Sequence, residues 1–370
     1  MENYDVIIVG AGPAGAVLAK ELAGFLPNLH ILLIDGQTEH NPKVCGGLLA
    51  PDAQKMFAKL NLTLPTSLLS DPQIFDVETI DLVRGQVRYY QRHYLNMDRY
   101  AFDKWLLSLV PTSVEIINGR CVRALQEDGS ILLDILSGGH TDRVRTRYLV
   151  GADGASSIVQ KSFFRKHPKK YVSIQQTFPD TGKELPPYSC IFDAETSDSC
   201  SWTIRKNGHI LFGGAFEPKG CREAFERQKA RLEHFLGVTF GEPVKTEACQ
   251  VTSPRRAADF QVGTENILLV GEAAGFISAS SFEGISSAVL SGRLLAEAFA
   301  LGYANGQVLP LYRQKTRKLR RKLLGKSLKR GVLCSPTLRY CIMRSGLQSM
   351  EKYGEHRSPN SNKESEVLRS

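Results

Sequence analysis

Four segments of this chain combine residue types and spacing suited to chemistry. The first is Gly10-Ala-Gly12-Pro13-Ala14-Gly15, which follows the apolar run Tyr4–Val9; Asp35 closes a second apolar run, Leu29–Ile34, twenty residues past the last glycine. Strand, glycine turn, helix, and a second strand ending in an acid form a dinucleotide cradle. The glycines permit a tight turn, close approach of backbone to a pyrophosphate and close helix packing, and the helix N–H groups face the anion. Pro13 suits the first helical turn, where its missing N–H costs nothing. The second segment is Lys43-Val-Cys45-Gly46-Gly47, in which two glycines beside a cysteine mark a loop that must approach something closely. The third and fourth, Gly151-Ala-Asp153-Gly154-Ala-Ser156-Ser157 and Gly271-Glu272-Ala-Ala274-Gly275, each end an apolar run.

These segments need a scaffold, and the hydrophobic periodicity supplies one. A chain of 370 residues exceeds one usual core, so two intertwined lobes and an appendage are expected. Residues 74–94 alternate as strands, with Val87, Tyr89 and Gln91 on one face and Arg88, Tyr90 and Arg92 on the other, and read as the edge of a second sheet. A helix is predicted near Arg99–Val110. Residues 171–254 read as strands and one helix that cap the nucleotide sheet. The expected organisation is α/β: a discontinuous nucleotide-binding domain (1–72, 97–170, 255–305), a mixed β-sheet substrate cap (73–96, 171–254), a basic helical segment (306–346) and a disordered tail (347–370). No internal repeat is visible.

The net charge of +9 is local, because twelve Lys or Arg and no acid lie between Glu297 and Glu351, while the rest of the chain carries 35 bases and 38 acids. Leu311, Leu319, Leu323, Leu324, Leu328 and Val332 recur near helical spacing among these bases. Residues 311–333 are therefore predicted to form a basic amphipathic helix suited to an anionic membrane surface, unless the leucines pack on the protein's own body. Nucleic acid is a poor partner for this pattern, since no RNA-binding aromatic motif accompanies the charge. Eight cysteines without a CxxC pair argue against a metal or disulfide framework. A first strand at Tyr4 leaves no room for a signal peptide and no run of eighteen apolar residues exists, which points to the cytoplasm, with peripheral attachment to the membrane's inner face through the basic helix.

The glycine turn, Gly151–Ser157 and Gly271–Gly275 resemble, in order and spacing, the FAD fingerprints of flavoproteins built like p-hydroxybenzoate hydroxylase. The resemblance implies a Rossmann-type FAD-binding domain of the glutathione reductase type. It implies that Gly10, Gly12, Pro13, Ala14, Gly15 and Asp35 hold the adenine dinucleotide part. Asp153 and Gly154 would meet the FAD linker, and Gly271 and Glu272 the ribityl chain and pyrophosphate. Glu272 stands where the family has Asp, an arm one methylene longer. Arg99 resembles the arginine opening the family's FAD-contacting helix.

Within that superfamily, Lys43–Gly47, the Trp202-containing run Ser201–Gly208 and Phe282-Glu283-Gly284-Ile285 resemble the geranylgeranyl reductases, with Arg205 in place of the usual proline and Phe282 in place of glycine. The resemblance implies a reductase of carbon–carbon double bonds in a hydrophobic isoprenoid, with or without a phosphate group. Such chemistry needs a hydride from reduced flavin on one carbon and a proton on the other, in a site closed to water. Gly46 and Gly47 would lie against the flavin ring, and Gly284 and Ile285 would aim helix N–H groups at it. Cys45 is the candidate proton donor or positioning thiol, or a small buried hydrophobe. Trp202 is an apolar substrate wall or a core residue, and Tyr188 a weaker candidate donor. The alternatives are a monooxygenase acting through a flavin hydroperoxide, and a flavin-binding lipid-interaction protein of low turnover. A halogenase is disfavoured, because Trp105 and Trp202 form no WxWxIP-like pair. No second nucleotide motif is present, so the reductant, NAD(P)H or a protein electron donor, would bind transiently.

Overall fold

The computed structural model describes residues 2–37, 43–127, 129–182 and 185–353. Strand β1 (Asn3–Val9) runs into the glycine turn and helix α1 (Pro13–Phe25), and β2 (Ile31–Asp35) returns beside β1. After β3 (Leu48–Leu49) and α2 (Pro51–Lys59), the pair β4 (Ile74–Asp81) and β5 (Gln86–Asn96) leaves for a second sheet. Helix α3 (Arg99–Ser108) and β6 (Val114–Asn118) lead back, followed by the meander β7 (Arg120–Glu127), β8 (Ser130–Ser137) and β9 (His140–Gly151), then α4 (Ile158–Phe163). Strands β10 (Lys169–Pro179), β11 (Tyr188–Phe192), β12 (Cys200–Lys206) and β13 (His209–Phe216), helix α5 (Cys221–Leu236) and β14 (Lys245–Ser253) build the second sheet. The chain returns through β15 (Gly263–Thr264) and β16 (Ile267–Leu269), then closes with α6 (Ile285–Gly302), α7 (Val308–Lys315), α8 (Arg317–Leu333) and α9 (Pro336–Ser345).

The first sheet has the order β15-β16-β9-β1-β2-β6, with β7 and β8 extending from β9. Its central strands are parallel, Val9 opposite Ile34 on one side and Gly151 on the other. Parallel strands covered on both faces need continuous apolar runs, and Val6–Val9 and Ile31–Ile34 are buried throughout. Helices α1 and α6 cover one face at close range: a Cβ on Gly292 would lie 2.5 Å from the Ala14 carbonyl. Helix α6 is apolar enough to resemble a membrane span by composition, but Val289, Leu295, Ala296, Ala298 and Phe299 are buried in this core. The second sheet, β14-β10-β13-β12-β11-β4-β5-β3, is antiparallel except where β11 meets β4. Phe178, Phe212, Phe216, Phe225 and Phe240 pack one of its faces against α5.

The basic segment departs from the single amphipathic helix expected at 311–333. It is two helices, α7 and α8, broken at Thr316, and Leu311, Leu319, Leu323 and Leu324 pack on the protein's own core. Only Leu328 of the six apolar positions is well exposed, at 75%. The apolar stripe is therefore spent on folding, while Arg317, Lys318, Arg321 and Lys329 remain outward. The following residues clasp the second sheet: Arg339 forms a fully buried ion pair with Asp81 at 2.8 Å, and Arg330 reaches Asp198 at 2.8 Å. The tail expected to be disordered from 347 is placed as far as 353. Met350 N–H donates to the Tyr89 carbonyl at 2.8 Å and Lys352 pairs with Asp76 at 2.9 Å; residues 354–370 lie outside the described residues.

Candidate active site

The carboxyl ends of β1, β2, β9 and β16 meet at one edge of the first sheet, where open α/β sheets bind ligands. The second sheet faces this edge across a cavity of about 920 Å³. The residues singled out in the sequence as binding or catalytic line it, with Gly15 just behind the wall.

The glycine turn divides into structural and binding positions. Gly10 has φ +104°, a left-handed conformation that disfavours side chains, and its Cβ would meet the Ala152 carbonyl at 2.6 Å. A Cβ on Gly15 would lie 1.9 Å from the Gly10 carbonyl, so this glycine is required for α1 to pack. A Cβ on Gly12 would meet nothing within 4 Å. The space in front of Gly12, at the N-terminus of α1, can accept a pyrophosphate. Asp153 adds a second observation: its Oδ2 accepts the Ile158 N–H at 2.7 Å, while its Oδ1 is buried with no partner among the described residues. Burial raises the Asp153 pKa, which suits a carboxyl that meets a ligand hydroxyl. These observations fit a dinucleotide such as FAD.

Two acids are already engaged. Asp35 accepts from Gln37 N–H at 3.0 Å and pairs with Lys104 at 2.7 Å, so a ribose there would share the carboxylate with a lysine. Glu272 uses its extra methylene to reach past the turn: Oε1 accepts from Thr252 N–H at 2.9 Å, and Oε2 holds Lys43 at 2.6 Å. Burial acts to lower the Lys43 pKa, but the Glu272 carboxylate carries the net shift upward and keeps the lysine charged.

The cysteine loop is built by side chains from elsewhere in the chain. Gly46 and Gly47 line the cavity and also lie close against protein atoms. A Cβ on Gly46 would lie 2.5 Å from Ile204 Cδ1, the movable end of a side chain, whereas one on Gly47, at φ +69°, would crowd the Met97 backbone carbonyl as well as Lys206 Nζ. Lys206 donates to the carbonyls of Gly46 at 2.8 Å and Met97 at 2.7 Å, clamping the loop to β12. Burial of this ammonium lowers its pKa to about 8. Arg99, the first residue of α3, donates to Asp103 at 3.0 Å and lies beside Cys45, while the Gly47 N–H donates to the Cys45 sulfur at 3.4 Å. Burial alone would push the Cys45 thiol up; the Arg99 guanidinium, the Gly47 N–H and Lys206 outweigh it and hold the thiol below its ordinary pKa.

The opposite wall comes from β11 and β12. The Trp202 indole N–H donates to Gln175 at 3.2 Å, and its ring lies over Gly213, where a Cβ would meet it at 2.6 Å. Tyr188 stacks edge-on against Tyr94 at 5.5 Å, and Tyr94 donates to Glu283 at 2.9 Å. Burial raises the Tyr188 pKa well above its ordinary value, so its hydroxyl stays protonated. Phe282, which stands where the resembling family has glycine, adopts φ +53° and packs its ring against Tyr171 at 5.8 Å. It keeps the glycine-like backbone at a cost in strain. Gly284 caps α6 at a negative φ of −123° and lines the cavity with Ile285.

Sequence reasoning did not single out Lys206, Lys104, Tyr94 or Thr252 as site residues. Lys206 lies in the Ser201–Gly208 run already noted, but only the fold brings it to a loop 160 residues away.

No protein-family model matches the chain. It is 44% identical over 353 residues to Protein CbrA of Escherichia coli O157:H7, covering 94% of this chain and 98% of that protein, and equally similar to Protein CbrA of Shigella sonnei. Among solved structures it resembles a geranylgeranyl bacteriochlorophyll reductase-like protein from Thermoplasma acidophilum, with TM-score 0.77, 18% identity, and coverage of 92% of this chain and 90% of that one. It also resembles the flavin-dependent brominase Bmp2 (TM-score 0.66, 17% identity, 92% of each chain). PqsL of P. aeruginosa, solved with 2-aminobenzoylacetate, matches with TM-score 0.67 and 15% identity over 94% of this chain and 99% of that one. At these identities the likeness establishes the fold, that of the p-hydroxybenzoate hydroxylase-like flavin-dependent oxidoreductases.

Proposed function

The chain belongs to the CbrA family, and from that premise we propose that it is an FAD-dependent oxidoreductase that reduces carbon–carbon double bonds in a prenyl or polyprenyl lipid. The observation that carries the reading is the placement of Cys45 on a loop that lines the dinucleotide cavity, with Arg99 beside it and the Gly47 N–H donating to its sulfur at 3.4 Å. Gly10, Gly12, Asp153 and the N-terminus of α1 would hold FAD, and Gly284 and Ile285 would adjoin it. When bound and reduced, FAD would supply a hydride to one carbon of the alkene.

The chain's own residues do the rest. Cys45 gives its proton to the second carbon and is left as a thiolate stabilised by Arg99; solvent then reprotonates it. Lys206 fixes the loop so that the thiol keeps its place. Trp202 and Ile204 give the substrate chain an apolar wall, and Tyr188, protonated at neutral pH, is a second proton source. The reductant, NAD(P)H or a protein donor, would act transiently, and the exposed bases of α8 would draw the protein to an anionic inner membrane surface from the cytoplasm.

The test is anaerobic. Reduced protein given a panel of polyprenyl phosphates and diphosphates is expected to reoxidise with two hydrogens gained per bond by mass spectrometry. The second reading, a monooxygenase, is favoured by the fold shared with PqsL and with p-nitrophenol 4-monooxygenase PnpA (TM-score 0.65). It gains if reoxidation needs dioxygen and the product carries a new oxygen atom.

A further inference from the structure

A second cavity, of about 450 Å³, opens where the end of α4 and the turn Phe163–Lys166 meet the segment Phe260–Thr264 and helices α7 and α8. It shares no lining residue with the cavity at the glycine turn. Four of its lining side chains, Arg165, Lys166, Arg313 and Arg320, are cationic, and none is acidic. Phe163, Phe164 and Phe260 supply apolar surface beside them.

Like charges gathered without a counter-ion repel one another, and the local contacts show how little relieves them. The Arg313 guanidinium donates to the Gly263 carbonyl at 3.1 Å, and Arg320 donates through Nη2 to the Arg313 carbonyl at 2.6 Å. The Arg320 Nε and the Gln261 Oε1 are buried and have no hydrogen-bond partner among the described residues. Burial, and then the neighbouring Arg313, depress the Arg320 pKa. Partly buried arginines such as Arg231, paired with Asp193 and Glu195, and Arg293, paired with Glu21 and Glu297, have the carboxylates that Arg313 and Arg320 lack among the described residues. A planar guanidinium with a free N–H matches a phosphate oxygen in geometry and charge.

We propose that this pocket binds a phosphate ester, its oxygens held by Arg313 and Arg320 together with Arg165 and Lys166, and its organic part against the phenylalanines. The site stands apart from the flavin reading and survives its failure. The same chemistry is offered by a soluble phosphate monoester and by a phospholipid headgroup, and two probes separate them. With the full chain, calorimetry measures binding of glycerol 3-phosphate and inorganic phosphate, and co-sedimentation measures binding to phosphatidylglycerol vesicles against neutral phosphatidylcholine. The Arg313→Gln/Arg320→Gln pair removes the two helix cations, and the Arg165→Gln/Lys166→Gln pair, at exposed positions, guards against misfolding, with circular dichroism checking both. Saturable binding of the soluble probes, weakened about tenfold or more in both variants, supports the site with a free ester as ligand. Vesicle binding alone, weakened in the same way, supports it with a headgroup. If neither probe binds the natural chain, or if both variants bind as well as it does, the proposal is overturned.

Discussion

The two walls of the main cavity are made by different means. On the first sheet the ligand crevice is shaped by backbone: Gly10 and Gly15 are required because a Cβ would strike main-chain atoms of Ala152 and Gly10, all local to strand ends that must meet. On the second sheet the cysteine loop is held by side chains that arrive from far along the chain, Lys206 onto the Gly46 and Met97 carbonyls and Ile204 against Gly46. The backbone wall fixes what class of cofactor fits. The side-chain wall is where one member of the fold can differ from another in chemistry, which agrees with a likeness spanning a reductase-like protein, a brominase and PqsL.

The sharpest way to break this contrast is within the glycine turn. Gly15→Val should destabilise the fold by on the order of 4 kcal/mol, because the new side chain cannot avoid the Gly10 carbonyl. Gly12→Ala should change stability by less than about 0.5 kcal/mol, since open space surrounds that position, yet weaken FAD binding roughly tenfold or more. Urea unfolding and flavin titration read the two effects separately, and equal stability losses would end the distinction between packing and binding glycines.

On the other wall, Arg339→Ala leaves Asp81 as an uncompensated buried charge beneath β4 and should cost about 3 kcal/mol in urea unfolding. A loss under about 1 kcal/mol would mean that the C-terminal clasp is incidental. Cys45→Ala should lower turnover about a hundredfold while flavin affinity stays within about twofold, because the thiol is assigned to proton transfer alone. Independently of turnover, Arg99→Gln should shift the pH profile of Cys45 alkylation upward, since the guanidinium that holds the thiol down is gone.

An effect smaller than that of Arg339→Ala concerns Lys206. Its folded pKa, about 8, lies below the ordinary lysine value of 10.5. Between those values the unfolded chain binds a proton that the folded chain does not, so this group makes stability rise with pH across the window. Below about pH 8 both states are protonated and the full cost of burying the charge remains. Lys206→Met should remove that rise, a difference of about 2.5 kcal/mol between urea unfolding at the two ends of the window. An unchanged pH slope would show that Lys206 does not clamp the loop as a buried cation.

The contrast also explains what the sequence made legible. The cradle, Asp153 and the Gly271 turn could be read because each motif is contiguous and its glycines answer to local sterics, and the alternating runs at 74–94 and 188–216 revealed the second sheet. The leucines of α7 and α8 left two readings open, because a stripe at helical spacing has the same appearance whether it meets a bilayer or the protein's own core; Leu319 and Leu323 are buried in the core. Gly46 and Gly47 were recognised as a close approach, but what they approach, Ile204 and Lys206, depends on pairings the sequence does not carry. Phe282 concealed a left-handed residue behind a side chain seldom found there.

Titration of the purified full-length chain with FAD, followed by flavin fluorescence and by release of the cofactor on denaturation, tests the central claim most directly. One FAD per chain, retained through gel filtration by the natural sequence and lost by Gly12→Ala, is the expected result. A folded natural chain that carries no flavin and takes none up when it is supplied would contradict the account.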